Sequence, residues 1–282
     1  MWRSQCAMKG VKMKNSISMT QFAATIAENI GVDAPKQAAE AFGLVKDLLH
    51  SEDMEKAQKL LIYNPDAVGQ WLFQKYTSWF APVLFHTQLG VPVCTVLPSV
   101  TPVCFGTMYT GVEPAVHGIQ KYEKTVLAQE SLFDVLAQSD KKTAIVAVEN
   151  SSMAIIFGGR DVDYYILPYD QQVNEKALEL IAQDRYDVII VYNQEYDDVM
   201  HRTFPESEES LAALKHHIDA FDRLAQSCRE KWQDRNSLIC WATDHGIHTN
   251  SEGHGTHGDD IEDDLNVMHF FGAWKGQEKD HE

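Results

Sequence analysis

Four short, nearly continuous apolar runs divide the chain: Lys59-Leu-Leu-Ile-Tyr63, Thr143-Ala-Ile-Val-Ala-Val148, Asp187-Val-Ile-Ile-Val-Tyr192 and Ser237-Leu-Ile-Cys-Trp-Ala242. Each is too short for a helix and rich in branched or aromatic residues, which predicts buried strands. Helical spacing separates them. It appears around Ser131 to Gln138 (Leu132, Phe133, Leu136), around Asn174 to Gln183, and in a long amphipathic stretch that turns Leu211, Leu214, Ile218, Phe221, Leu224 and Cys228 inward. Strands without polar alternation, divided by helices, predict an α/β fold: a three-layer αβα sandwich around a largely parallel sheet. Val91–Leu97 and Asn266–Gly272 are two further expected strands. No repeat or low-complexity linker interrupts the pattern.

Upstream, the pattern changes. Residues 1 to about 16 carry Lys9, Lys12 and Lys14 without apolar periodicity, as a frayed tail would. Ser18-Met-Thr-Gln21 has the form of a capping box, and Phe22, Ile26 and Ile30 continue at helical spacing to Gly31. A second helix is expected from Asp33-Ala-Pro35, with Ala38, Ala41, Phe42, Val45, Leu48 and Leu49 on one face. The chain therefore divides into a tail with a helical hairpin over 1–56 and a main domain over 57–282. Core support is the expected role of the hairpin, with a lid or a dimer contact as the alternative.

Chemistry gathers where the expected strands end. Thr243-Asp244-His245-Gly246 follows one strand and Asp66 another, the places where open α/β sheets keep their sites. Carboxylate with imidazole suits zinc or manganese; the competing reading is a histidine-rich polar loop. Asp197 and His201, four apart, share one face of a helical turn and could grip one ion. Thr101 opens a segment crowded with hydroxyls, glycines and prolines, as a helix cap or as a nucleophile that needs a base or metal to attack at neutral pH. His216 and His217 read as surface or helix-edge residues, Asp259–Asp264 as a solvated loop, and His269 as structural.

Composition narrows the partners. A net charge of −17 over 282 residues argues against a nucleic-acid polymer or an anionic membrane, both of which attract positive surfaces. A small phosphate ester stays compatible, because bound divalent ions reverse the local sign. Cys6, Cys94, Cys104, Cys228 and Cys240 are odd in number and lack CxxC spacing, so no disulfide framework is expected. With no apolar signal run at the amino terminus, a cytoplasmic location is the expectation.

Asp66, Thr101, Asp197 with His201, Asp244-His245 and His257 occur in an order that resembles the alkaline phosphatase superfamily, in particular its type I phosphodiesterase/nucleotide pyrophosphatase branch. The resemblance runs from about residue 57 to 275. It rests on Pro98 through Ile119 with its Thr-Gly-x-x-Pro-x-x-His-Gly-Ile ending, on Asp197-x-x-x-His201, and on Thr243-Asp-His-Gly246 with Thr256-His-Gly258. It implies a two-metal hydrolase of phosphoric esters, usually zinc-dependent. One ion would be held by Asp66, Asp244, His245 and the Thr101 oxygen, the other by Asp197, His201 and His257, with Thr101 forming a phospho-threonine. His257 is preferred to His254 because Gly258 follows it. The family pattern also implies a substrate-binding asparagine three residues after the nucleophile; Cys104 stands there. The alternatives are a phosphomonoesterase or phosphonoacetate-type hydrolase on the same ligands, and a non-catalytic metal-binding protein.

Overall fold

Eight strands form one sheet, in the order β1 (Ile17–Ser18), β3 (Leu89–Cys94), β10 (Asn266–Trp274), β7 (Ser237–Ala242), β2 (Lys59–Pro65), β6 (Val188–Asn193), β4 (Thr143–Val148) and β5 (Asp163–Leu167). All neighbours run parallel except β10, which is antiparallel to both β3 and β7. The computed structural model describes residues 13–277; Cys6 and residues 1–12 of the tail expected to about 16 lie outside the described residues, whereas Asn15 is held rather than frayed, donating N to Asn266 Oδ1 (2.9 Å) and Nδ2 to Gln70 Oε1 (2.7 Å). No helix among the described residues is long and apolar enough to cross a membrane.

Successive side chains of a strand point to opposite faces, and the central strand divides accordingly. Leu60 and Ile62 of β2 enter one apolar core, Leu61 and Tyr63 the other. The first core takes in α1 (Phe22–Ile30), α2 (Leu44–Ser51), α5 (Thr101–Thr110), α7 (Leu132–Gln138) and α8 (Ser152–Ile156). The second takes in α9 (Asp170–Gln183), α10 (Glu195–Arg202) and α11 (Glu208–Lys231), besides the short helices α3 (Gln70–Lys75) and α4 (Ala81–His86). The result is an α/β fold with a mostly parallel sheet flanked by helices. The expected strands at 59–63, 143–148, 187–192 and 237–242 are all in it, within a residue or two.

Three expectations need correction. The second amino-terminal helix starts at Leu44, not near Pro35, because other elements claim the intervening backbone: Ala39 N donates to Gly111 O (2.8 Å) and Phe42 N to Thr25 Oγ1 (3.1 Å). The strand expected over 91–97 stops at Cys94, after which the chain turns toward α5. His217 is not at the surface: it is 1% exposed and bonds Tyr63 through Nδ1 (3.0 Å). The capping box at Ser18 forms as read, on a 3-10 turn over Met19–Gln21 that leads into α1.

Candidate metal centre

Strands β7, β2 and β6 are adjacent and parallel, so their carboxyl ends share one edge of the sheet. Asp66 follows β2, Asp244 and His245 follow β7, and α10 after β6 carries Asp197 and His201. The loops are sewn together at the backbone. Ala67 N donates to Asp244 Oδ1 (3.2 Å) and Val68 N to Thr243 Oγ1 (3.0 Å). Ala67 does this at φ +62°, a left-handed conformation that costs an L residue roughly 1–2 kcal/mol.

His245 Nε2 is the meeting point of one half. It lies 3.4 Å from Asp66 Oδ1, 3.3 Å from Asp244 Oδ2 and 3.3 Å from Thr101 Oγ1. In the other half, Asp197 Oδ1 is 3.4 Å from both His201 Nε2 and His257 Nε2, which are 3.1 Å apart. Asp197 joins the halves, since one of its oxygens also lies within 4.8 Å of ligand atoms of Asp66 and His245. Every predicted ligand is thus brought to one place.

The chemistry of these atoms favours a cation. His245 Nδ1 faces Gly246 O (3.0 Å), His201 Nδ1 faces Gly255 O (3.1 Å) and His257 Nδ1 faces Ser99 O (2.7 Å). A carbonyl only accepts, so each Nδ1 carries the proton and each Nε2 lone pair turns into the site. Asp66 Oδ1, Asp197 Oδ1 and Asp244 Oδ2 are buried oxygens without a hydrogen-bond partner, which is costly unless a positive charge compensates. Ligand atoms around one tetrahedral zinc, each about 2.0–2.1 Å from it, lie roughly 3.3 Å apart. The separations of 3.1 to 3.4 Å fit that spacing.

Electrostatics agrees. Burial, then the neighbouring Asp244 and Asp197, pushes Asp66 well above the ordinary carboxylate range; burial and Asp244 do the same to Asp197. Burial raises Asp244 to about 6 and lowers His245 to about 3. Burial lowers His257 too, helped by His245, and His201. Carboxylates crowded together and imidazoles held neutral are a set that a dication would rebalance. The halves differ in access. Asp66, Asp244 and His245 are at most 2% exposed, whereas the His201 side chain is 42% exposed, so the second half faces solvent.

Several neighbours resolve differently from the sequence reading. Cys104 does not reach the site's open side: it is fully buried in the first core and accepts from Thr95 Oγ1 (3.1 Å), because α5 packs that face against Thr95. His254 is exposed. Asp264 accepts from His248 Nδ1 (2.8 Å), so the acidic loop orients an imidazole outside the site. Tyr192, which the sequence presented only as the last apolar residue of a strand, donates its hydroxyl to Asp66 Oδ2 and leaves Oδ1 as the inward oxygen. Strand register could have revealed it, since Tyr192 pairs with Asn64, two residues before Asp66.

Gly255 sets the distance between the halves of the solvent-facing position. A Cβ there would lie 2.5 Å from Met200 O and collide with Met200 Sδ, forcing α10 away from the strand that carries Gly255 O to His201. Gly255→Ala is expected to cost about 1–3 kcal/mol and to weaken cation binding. Gly43→Ala, whose Cβ meets nothing within 4 Å, is the control in thermal melts; equal melting of the two variants would refute the close-approach account.

The cradle stands at the carboxyl edge of the sheet, where open α/β folds keep their sites. The model of the type I phosphodiesterase/nucleotide pyrophosphatase family matches residues 125–277, over half of the chain, and the chain belongs to that family. The match takes in Asp197, His201, Asp244, His245 and His257; Asp66 and Thr101 precede it. No curated protein sequence matches significantly. Among solved structures, murine ectonucleotide pyrophosphatase/phosphodiesterase 5 is similar with 17% identity and a TM-score of 0.52, over 69% of this chain and 59% of that one. Phosphonoacetate hydrolase from Sinorhizobium meliloti 1021, in complex with phosphonoformate, has 13% identity and a TM-score of 0.53, over 70% and 59%. The C-terminal periplasmic domain of EcEptC from Escherichia coli, in complex with Zn, has 14% identity and a TM-score of 0.51, over 78% and 73%. At such identities the likeness establishes the fold, and the chain spans about 59% of the length of the first two.

Proposed function

We propose that the chain is a two-metal hydrolase of phosphodiesters that works through a phospho-threonine on Thr101. The observation that carries this reading is the convergence of three unpartnered carboxylate oxygens and three Nε2 lone pairs beside the Thr101 hydroxyl. Asp66, Asp244, His245 and Thr101 would hold one divalent ion, and Asp197, His201 and His257 the other; zinc suits this nitrogen and oxygen set, with manganese as the second choice. Bound there, the pair supplies Lewis acidity to the threonine hydroxyl and charge neutralisation for the leaving oxygen.

The chain's own residues do the rest. Thr101 loses its hydroxyl proton as Oγ1 attacks phosphorus, the new P–O bond forms as the bond to the leaving oxygen breaks, and that oxygen departs as an alcohol after taking up a proton. Water later cleaves the phospho-threonine ester to release a phosphate monoester and restore the hydroxyl. Thr101 stands at the first turn of the ten-residue helix α5, where the helix dipole favours the growing negative charge. Tyr192 keeps Asp66 in one orientation, and the three backbone carbonyls keep the imidazoles in one tautomer.

Charge favours a diester over a monoester. Three carboxylates and two dications leave about one positive charge, the complement of a phosphodiester monoanion. Among the described residues, the side chains that form ion pairs with Asp66, Asp197 and Asp244 are histidines, whose Nε2 turns toward the ion rather than toward the substrate. With zinc or manganese, bis(p-nitrophenyl) phosphate is expected to exceed p-nitrophenyl phosphate in kcat/KM by at least about tenfold, or 1.4 kcal/mol. A monoester preference would replace the diesterase reading with a phosphomonoesterase. Turnover of phosphonoacetate alone would favour carbon–phosphorus cleavage.

A further inference from the structure

Helix α10 is only eight residues long, and it carries Asp197 and His201, two of the three groups that would hold the solvent-facing ion. So short a helix has little stability of its own. Its first-turn N–H groups need partners, and its own N-cap, Gln194, makes no side-chain capping bond. The partners come from other elements. Asp170, at the start of α9, accepts from Gln194 N through Oδ1 (3.0 Å) and from Glu195 N through Oδ2 (2.9 Å). His217, on α11, accepts from Tyr196 N through Nε2 (3.2 Å). Three consecutive backbone donors of the segment thus bond side chains that are distant in sequence and buried, Asp170 at 5% exposure and His217 at 1%.

We propose that Asp170 and His217 are positioning residues: they fix helix α10 at its amino end and so hold Asp197 and His201 where the second cation is bound. The inference rests on the two-metal reading above. His217 suits the role because a backbone N–H donates to its Nε2, so Nδ1 carries the proton, which goes to the Tyr63 hydroxyl (3.0 Å). Burial also lowers its pKa to about 3, which keeps it neutral and accepting. The Asp170 carboxylate adds a negative charge beside the helix's positive end. Neither residue belongs to either ligand set, and His245 with its partners is held through β2 and β7. Asp197 also approaches the first set, but Asp66, Asp244 and His245 keep their own supports, so loss of the anchor acts chiefly on the solvent-facing ion.

The test is a zinc titration of the metal-stripped full chain against a chromophoric chelator. The wild type is expected to bind two ions. Asp170→Ala is expected to bind one of them with unchanged affinity and the other about 10- to 100-fold more weakly, as loss of a group that orients a ligand does elsewhere. Asp170→Asn keeps one acceptor oxygen and falls between. In a His257→Ala background, where the solvent-facing position is already dismantled, Asp170→Ala adds no further loss. A general structural role would instead lower melting temperature and weaken both ions together. That result, or two unaltered affinities, overturns the proposal. If Asp170→Ala does not fold, Asp170→Asn and His217→Ala are read by the same criterion. A wild type that binds no zinc overturns the two-metal reading and this inference with it; a wild type that binds two ions while the variants weaken both equally overturns the inference alone.

Discussion

Thr101→Ala is expected to lower phosphodiester turnover by about four orders of magnitude or more, the scale on which loss of a catalytic nucleophile acts, while the protein still takes up two ions at saturating metal. The side chain is positioned for that role: it is 4% exposed, its oxygen is 3.3 Å from His245 Nε2, and it opens a helix whose remaining nine residues are wholly buried. Such packing leaves the hydroxyl little freedom to rotate away from the ligand atoms, an advantage for a group that must attack along one line. Thr101→Ser keeps the oxygen and should retain measurable turnover, with a loosened geometry as the only change. Wild type acid-quenched during diester turnover should carry the phosphoryl group on Thr101 with one ester group still attached, and the alanine variant none. Turnover in the alanine variant within tenfold of wild type would mean that water attacks phosphorus directly, and the covalent route would be wrong.

The sequence disclosed the strands and the site more fully than the helices. Strands β2, β4, β6 and β7 are buried on both faces, so their apolar runs had no alternation to obscure them. Asp66, Asp197 and Asp244 could be placed at one edge because those same runs end just before them. What escaped was determined by partners distant in the chain. Strand β5 is an edge strand, exposed or half-buried throughout Asp-Tyr-Tyr-Ile-Leu, so its short aromatic run lacks the burial on both faces that marks the others. His217 looked like a surface residue because its type is polar, yet Tyr63 and the Tyr196 N–H, 154 and 21 residues away, make a buried position tolerable. Cys104 illustrates the converse. Its spacing from Thr101 suggested a substrate contact, but three residues along a helix is most of one turn, and only the packing of α5 against Thr95 decides which way that turn points.

Zinc should raise the melting temperature more at pH 8 than at pH 6, and chelation should remove the difference. The sign follows from the shifted groups. A carboxylate whose pKa is raised in the fold keeps its proton where the unfolded chain has released it, so stability declines as pH climbs from about 4 toward the folded value. For Asp244 that decline runs to near pH 6, and burial shifts Asp66 and Asp197 in the same direction. The histidines act in the opposite sense. His245, lowered to about 3, and His257, lowered well below its ordinary value, stay neutral in the fold while the unfolded chain takes up protons below about pH 6.5. Their contribution is complete above that pH and lost on acidification. Raised carboxylates thus cost stability as pH rises, and lowered imidazoles cost it as pH falls. A dication reverses the carboxylates' preference by favouring their ionised form, so binding releases protons and tightens as pH rises. At metal 100-fold above Kd each ion adds about 2.7 kcal/mol, on the order of 5–10 °C for a chain of this size. Melting curves with zinc and with chelator at pH 6, 7 and 8 measure the gap directly. A gap that stays constant or narrows with rising pH would show that these carboxylates do not meet a cation, and the charge argument for a diester would lose its basis.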